Sequence, residues 1–315
     1  MEVGWKSIKI PSDTLDYNTS ILISSIYLIK VDQLDSKVKL GSYLAGLIEG
    51  DGHIYVPSTK RDSKGKLLAA HIEIVFHMKD LVLAKFIQNK VGGYMSYRKN
   101  SCILIVKKLD LLVNLVNLIN GYFRTPKIIV LHKLILFLNV KLNIALPLLG
   151  IDYSNLNSNA WLAGFWDADG SFYFTWKMGL LKKGWLPTKL AYYMRLSQNS
   201  TYAKTNLSNF PILNLIASFM KSSIKFRERH RTTYTEKVIN LRTENWNSKY
   251  ILISYFLKFP LYSYKYSSVP VFVNLLQISV NKKLGVKENE NQLIALKHLK
   301  DEYSPIHHAN HIKTF

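Results

Sequence analysis

The chain has 315 residues, 42 of them Lys or Arg and 21 Asp or Glu, so its formal net charge is +21. This length accommodates two domains with separate cores, and a hydrophobic content of 48% favours globular over disordered structure. So basic a chain suits a polyanionic partner, either nucleic acid or an anionic lipid surface. The early apolar run at 20–29 is too short to span a bilayer and lacks a small-residue cleavage site, which argues against a membrane segment and a secretory signal. The single cysteine excludes an internal disulfide.

The first half of the chain alternates between helical and strand patterns. Residues 1–40 carry no chemistry that we can assign and predict a helix or an arm beside the first unit. Apolar residues on most sides of Ser42–Ile48 predict a buried helix, and the alternation after Gly52 predicts a strand with one solvated face. Further strands are predicted at 71–79, 94–98 and 103–106, and helices at 81–90, 109–120 and 128–139.

The second half repeats this order. Strands are predicted at 171–177, 192–199, 225–231 and 238–242, and helices at 211–221, 248–256, 269–280 and 288–302. Two hairpins with interspersed helices in each half indicate an α+β fold of two pseudo-symmetric units with antiparallel sheets. We divide the chain into an N-terminal extension (1–40), a first unit (41–140), a linker (141–158), a second unit (159–281) and a C-terminal helix with a loose, histidine-containing tail (282–315).

Two segments are nearly identical: LAGLIEGDG between Tyr43 and His53, and LAGFWDADG between Trp161 and Ser171. Small residues recur four positions apart in both, as Gly46 and Gly50 and then as Gly164 and Ala168, which places them on one helix face. Because glycine costs helix stability, this pattern predicts that the two helices pack closely together at the interface between the halves.

Each segment ends with an acid, and Asp169 follows Asp51 by 118 residues. A carboxylate is disfavoured at a helix C-terminus, and two carboxylates held together repel. A bound divalent cation would remove both problems and could assist in-line hydrolysis of a phosphodiester. An isolated Asp-Gly often does no more than end a helix, but two copies in matched contexts favour a site.

These segments resemble the LAGLIDADG homing endonucleases in their single-chain, double-motif form, over about residues 40–280. The resemblance implies an αββαββα unit repeated with pseudo-two-fold symmetry and a DNA-binding saddle of two sheets. It implies metal binding by Asp51 with the Gly50 carbonyl and by Asp169 with the Ala168 carbonyl. The acids at the other motif position, Glu49 and Asp167, are interpreted as structural.

The resemblance also places a basic residue at the start of the helix after each second hairpin. Arg124–Ile128 fits that place and nominates Lys127, and Phe259–Tyr266 nominates Lys265 as the second catalytic lysine. Each lysine could instead contact only the DNA backbone. The lysines are 138 residues apart, so we expect about 20 additional residues in the second half, within its hairpin loops.

If the sheets enter the major groove, one face of each strand reads base edges. The alternation predicts the following DNA contacts: His53, Tyr55, His71, Glu73, Val75, Arg98, Ser171, Tyr173, Thr175, Lys177, Arg195, Ser197, Arg227, Arg229, Asn240 and Arg242. A register error of one residue would exchange the faces. The basic loops 58–66 and 177–189 are expected to follow phosphates, or else to be solvated hairpin tips.

The predicted function is a metal-dependent double-strand break with 3′ overhangs in an asymmetric duplex of about 20 bp. The expected cofactor is Mg²⁺, with Mn²⁺ as a substitute and Ca²⁺ supporting binding without cleavage. The protein is expected to act as a monomer in the mitochondrial matrix, without membrane association. Two alternatives remain: an RNA maturase that binds its host intron RNA, with or without nuclease activity, and a DNA binder that does not cut.

Overall fold

The computed structural model describes residues 35–61, 63–181, 184–230, 232, 235–283 and 290–315. Almost all of the predicted N-terminal extension lies outside these ranges. Among the described helices, none is both long enough and apolar enough to cross a membrane.

The first unit begins with a long helix that leads directly into a four-stranded antiparallel sheet. Its strand order is β1-β2-β4-β3. In chain order the elements are α1 (Ser36–Asp51), β1 (Gly52–Tyr55), β2 (His71–His77), α2 (Leu81–Val91), β3 (Tyr94–Tyr97), β4 (Ser101–Val106), α3 (Leu109–Ile119) and α4 (Ile128–Leu142). The buried face of the sheet packs apolar strand residues against the helices.

The second unit repeats this topology with the strand order β5-β6-β10-β9. Its elements are α5 (Trp161–Asp169), β5 (Gly170–Leu181), β6 (Gly184–Asn199), a small ribbon of β7 (Thr201–Tyr202) and β8 (Leu207–Ser208), α6 (Phe210–Phe219), β9 (Ile224–His230), β10 (Thr235–Arg242), α7 (Trp246–Lys258), α8 (Ser268–Lys283), α9 (Glu290–Asp301) and α10 (Pro305–Ile312). The predicted α+β fold with two related units is confirmed.

Helices α1 and α5 pack against each other through their small residues. A Cβ atom added at Gly46 would lie 2.0 Å from the carbonyl oxygen of Trp161, and one at Gly164 would lie 1.9 Å from that of Tyr43. Side chains at these positions would therefore force the helices apart. The close approach explains why both motifs accept glycine inside a helix despite its cost of about 1 kcal/mol.

Three sequence-based expectations need correction. The histidine-containing tail is not loose, because it forms α10 and buries His308 and Ile312. The expected loop at 177–189 is largely strand and extends the β5–β6 hairpin. The additional residues of the second half are not confined to hairpin loops, since some form the β7–β8 ribbon.

Candidate active site and nucleic-acid interface

Asp51 and Asp169 are the last residues of α1 and α5, and each directly precedes the first strand of its sheet. The close helix packing brings the two ends together: a Cβ atom at Gly50 would lie 2.2 Å from the Ala168 Cβ and 2.8 Å from Oδ2 of Asp169. The packing also sets each acid beside the small residue of the other helix, whereas the predicted metal ligands pair each acid with the carbonyl of the residue before it. Gly50 of one helix faces the acid of the other, and Asp51 lines a pocket together with Ala168.

Lys127, Gly50, Asp169 and Gln198 form the first site, which we call the Lys127 site. The Lys127 ammonium donates to the carbonyls of Ile48 and Gly52, both at 2.8 Å, and to that of Gly50 at 3.4 Å. Gln198, at the end of β6, donates a short hydrogen bond from Nε2 to Oδ2 of Asp169. Lys127 also lies 5.8 Å from the ring centroid of Tyr202, which comes from the β7–β8 ribbon.

Lys265, Ala168, Asp51 and Asp80 line the second site, which we call the Lys265 site. The Lys265 ammonium donates to the carbonyls of Asp167 at 2.6 Å, Ala168 at 3.1 Å and Trp166 at 3.4 Å. Asp80, before α2, accepts from the backbone N–H of Tyr264 through Oδ1. The two predicted lysines therefore contact equivalent helix ends. Each lysine lies shortly before a helix that follows the second hairpin of its unit, α4 for Lys127 and α8 for Lys265.

The structural assignment of Glu49 and Asp167 agrees with their contacts. Glu49 is buried and accepts from the backbone N–H groups of Arg124 and Thr125, the Thr125 hydroxyl and the indole of Trp161. Asp167 is also buried and accepts from the backbone N–H groups of Tyr262 and Ser263 and from the hydroxyls of Ser263 and Tyr43. Each of these acids holds a loop that carries a lysine.

The environment of the site moves the pKa values of several groups toward neutral pH. Burial and the nearby Asp51 carboxylate raise the pKa of Asp169 to about 7, although Lys265 and Lys127 oppose the rise. Partial desolvation also raises the pKa of Asp51. Burial lowers the pKa of Lys127 to about 8, against the attraction of Glu49, Asp169 and Asp51. The carboxylates of Asp51 and Asp169 thus repel each other at a largely desolvated position.

The donor set fits a divalent cation. Two carboxylates and the carbonyls at two helix C-termini are hard oxygen ligands of the kind that Mg²⁺ and Ca²⁺ take. Both helix dipoles present their negative ends here, and the carbonyls already bind the two ammonium groups. A cation would also relieve the repulsion between Asp51 and Asp169.

The strand register shows which side chains share a face of the first sheet, because directly opposed residues in neighbouring strands point the same way. His53 pairs with Glu73 and Tyr55 with His71, while Glu73 and Val75 pair with Ile105 and Ile103. Five of the six predicted contacts in this half thus lie on one face. Arg98 follows β3 in the turn, where it is exposed.

The second sheet behaves in the same way. Its register pairs Ser171 with Arg195, Arg195 with Arg242, Ser197 with Asn240, and Val238 with Arg227. The predicted contacts on this sheet therefore share one face: Ser171, Tyr173, Thr175, Lys177, Arg195, Ser197, Arg227, Arg229, Asn240 and Arg242. Asn240 differs from the others in being buried, with 8% exposure, so it is not freely available to a base.

Sequence reasoning missed Gln198, Asp80 and the ribbon residues Tyr202 and Lys204. Gln198 could have been found, because it continues the apolar face of β6 after Met194 and Leu196, where a polar residue is unexpected. The equivalent position in β2 is Phe76, which is buried. No pattern in the sequence brings the β7–β8 ribbon to the first unit, where the Lys204 ammonium lies 2.7 Å from Nε2 of His53.

Comparison with known proteins agrees with this geometry. The family model described as LAGLIDADG endonuclease matches residues 44–137 and 162–276. The intron-encoded DNA endonuclease aI3 of Saccharomyces cerevisiae is 31% identical over 294 residues, covering 84% of this chain and 69% of that protein. The intron-encoded RNA maturase bI4 of the same organism is 27% identical over 206 residues, covering 64% of this chain and 30% of that protein.

Solved structures show the same fold. The meganuclease I-SmaMI bound to uncleavable DNA superposes with a TM-score of 0.62 at 17% identity, covering 84% of this chain and 98% of that one. I-SmaMI has also been solved on an uncleaved DNA target in the presence of calcium ions.

The duplicated fold and the paired acids at two packed helix ends define a double-motif nuclease that uses divalent metal. The chain belongs to the LAGLIDADG endonuclease family.

Proposed function

We propose that this protein is a site-specific homing endonuclease that makes a double-strand break in a long, asymmetric DNA target. The observation that carries the proposal is the pair of carboxylate–lysine sites at the ends of α1 and α5, each directly before a sheet with a polar, largely exposed face. Two sites related by pseudo-symmetry suit the two strands of one duplex.

In this proposal Asp51 and Asp169, with the carbonyls of Gly50 and Ala168, hold the catalytic Mg²⁺, and Mn²⁺ substitutes for it. When bound, the ion supplies Lewis-acid stabilisation of phosphate charge. Calcium has the same ligand preference but is held less rigidly, so it supports binding without cleavage.

The remaining groups position the reaction. Lys127 and Lys265 place an ammonium beside each acid, where it can stabilise negative charge on the phosphate. Gln198 holds one orientation of the Asp169 carboxylate. The structural acids Glu49 and Asp167 keep both lysine loops in register with the helix ends.

The exposed faces of the two sheets provide the DNA interface. Arg side chains suit guanine edges, and Glu73 can accept from cytosine. The two faces carry different residues, so the target should be asymmetric. Two sheets on either side of the acids suggest about 20 bp, with cleavage across the central minor groove leaving 3′ overhangs.

A second candidate function is assistance to splicing of the host intron RNA. It is favoured by the similarity to a protein named as an RNA maturase and by the basic surface. The protein would act as a single chain in the mitochondrial matrix in either role.

The proposal is tested by incubating the purified chain with a randomised duplex library in Mg²⁺, with Ca²⁺ in parallel, and sequencing the ends. We expect breaks with 3′ overhangs at one long asymmetric sequence in Mg²⁺ and intact, selected duplexes in Ca²⁺. Selection without any cutting in Mg²⁺ would instead identify a DNA binder. No binding and no cutting would favour the maturase, which a binding assay with host intron RNA would then examine.

A further inference from the structure

Two histidines and a glutamate form a separate cluster on the exposed face of the first sheet. His53, His71 and Glu73 each offer one ligand atom, and these atoms lie within 4.8 Å of one another. His53 stands directly opposite Glu73 in the β1–β2 register, and His71 lies two residues before Glu73 on the same face. Within the described ranges, this is the one group of three His, Cys, Asp or Glu side chains that meets this criterion.

The distances are close to those of a metal site. Nε2 of His71 lies 3.4 Å from Oε1 of Glu73, and Nδ1 of His53 lies 4.0 Å from Oε2. A tetrahedral zinc ion with bonds near 2.0 Å separates its ligand atoms by about 3.3 Å. Small side-chain rotations would therefore close the cluster around one ion.

His71 is already oriented for this role. Its Nδ1 lies 2.8 Å from the carbonyl oxygen of Ala69, so an N–H donated there leaves the Nε2 lone pair facing Glu73. Such a bond from the second ring nitrogen is what fixes the tautomer of metal-binding histidines. The ring also stacks on Tyr55, with centroids 4.9 Å apart.

We infer that His53, His71 and Glu73 form a zinc-binding site distinct from the paired acids. Two imidazoles and one carboxylate are a ligand set that zinc uses when its fourth position stays open. Here that position would face solvent, because the three side chains are 45%, 22% and 29% exposed. Magnesium prefers oxygen ligands alone, so the cluster is not a further magnesium site.

Lys204 opposes metal binding. Its ammonium lies 2.7 Å from Nε2 of His53 and also donates to the carbonyl of Ile54 at 2.8 Å. An ammonium that donates to Nε2 leaves the imidazole proton on Nδ1, so zinc binding through Nδ1 requires this contact to break, and the positive charge also repels a second cation. Removing the charge in Lys204→Met should tighten zinc binding by roughly tenfold.

The test uses the full chain, stripped of metal with a chelator and without DNA, so that it is independent of cleavage. Co²⁺ is titrated as a visible-absorption probe, and Zn²⁺ is titrated by calorimetry. We expect one tight site per chain, weakened at least tenfold in both His71→Asn and Glu73→Gln. His230→Asn, at another exposed strand histidine, is the matched control and should bind like the parent. Thermal melting verifies that each variant folds.

Equal affinity in the parent, His71→Asn and Glu73→Gln would overturn the inference, as would the absence of any tight site. Zinc binding that disappears in Asp51→Asn and persists in Glu73→Gln would also overturn it, because the ion would then occupy the paired acids. Tighter binding in Lys204→Met would support the assignment to this cluster.

Discussion

The Lys127 and Lys265 sites share one backbone design but differ in the side chains around it. In both sites, the hydroxyl of the residue two positions before the lysine, Thr125 or Ser263, accepts a hydrogen bond from the backbone N–H of the lysine at 3.2 Å. Around this common frame, the first site adds Gln198 and the β7–β8 ribbon, whereas the second adds Asp80. Duplication therefore preserves the geometry of the acids and lysines, while the neighbouring groups leave the two sites free to differ in rate.

The supports behind the two lysine loops differ as well. In the first unit the carbonyl of Phe123 accepts from the backbone N–H of Asp152, whose carboxylate also pairs with Arg124 at 2.6 Å. In the second unit the carbonyl of Leu261 lies 2.7 Å from Nε2 of His311. In each unit the chain beyond the helix that follows the lysine loop, α4 or α8, thus returns to hold the same place, once with an ion pair and once with a histidine of α10.

The largest expected effect on cleavage comes from the two motif acids, one of which belongs to each site. Asp51→Asn and Asp169→Asn should each reduce double-strand cleavage in Mg²⁺ by at least about 100-fold, because each removes a negative ligand charge. DNA binding in Ca²⁺ should persist. Cleavage of a supercoiled plasmid carrying the selected target gives the measurement. Full double-strand activity in either variant would contradict the assignment of these two acids as metal ligands.

The next largest effects are expected from substitution of the two lysines. Lys127→Met and Lys265→Met should each slow cleavage by about 100-fold through loss of charge stabilisation. Only the first should also destabilise the fold noticeably, by about 1–3 kcal/mol, because Lys127 is buried and its loss removes hydrogen bonds from a charged donor to the carbonyls of Ile48 and Gly52. Single-turnover kinetics and urea melts measure the two effects. The surface variant Lys85→Met is the control, and equal stability losses at both sites would contradict the asymmetry.

Gln198 distinguishes the Lys127 site from the Lys265 site, because the equivalent residue in the first sheet is Phe76, which cannot donate a hydrogen bond to an acid. Gln198→Ala should slow cutting of one DNA strand by about tenfold, the scale on which groups that orient a metal ligand act, and nicked product should accumulate. Strand-specific end labels would show this. Equal slowing of both strands would mean that Gln198 does not belong to one site alone.

The smallest effect concerns pH. Burial lowers the pKa of His308 and His311 below 6.5, against weaker opposing effects of the hydrogen bonds to the carbonyls of Tyr262 and Leu261 and of the Asp167 carboxylate. The unfolded chain then takes up protons at a higher pH than the folded chain, so stability is complete above pH 6.5 and falls as the pH drops toward the lowered values. The melting temperature should therefore fall by a few degrees over this pH range.

Hydrogen exchange should locate this loss. Between pH 7.5 and 5.5, protection should fall at 259–267 and 303–315 more than at 122–128, where an ion pair replaces the histidines. His308→Gln with His311→Gln should flatten the difference. Uniform loosening of both lysine loops would argue against a specific histidine support.

The sequence alone determined the duplicated unit, the helix packing and the faces of both sheets. Hydrophobic periodicity and glycine spacing are local properties that backbone geometry translates directly into helices, strands and close contacts. The positions of the motif acids and the two lysines were likewise predictable, because they occur at equivalent places in a repeated pattern that resembles a known family, whereas their catalytic roles stay predictions.

Only the tertiary structure decided how these parts meet. The crossed arrangement of Gly50 with Asp169, the approach of Lys204 to His53 and the docking of α10 beneath Leu261 join residues that are far apart in the chain. The burial of Asn240 is also invisible to a two-residue alternation, which predicts the direction of a side chain but not what covers it. Such contacts depend on the packing of whole elements, and no local pattern encodes them.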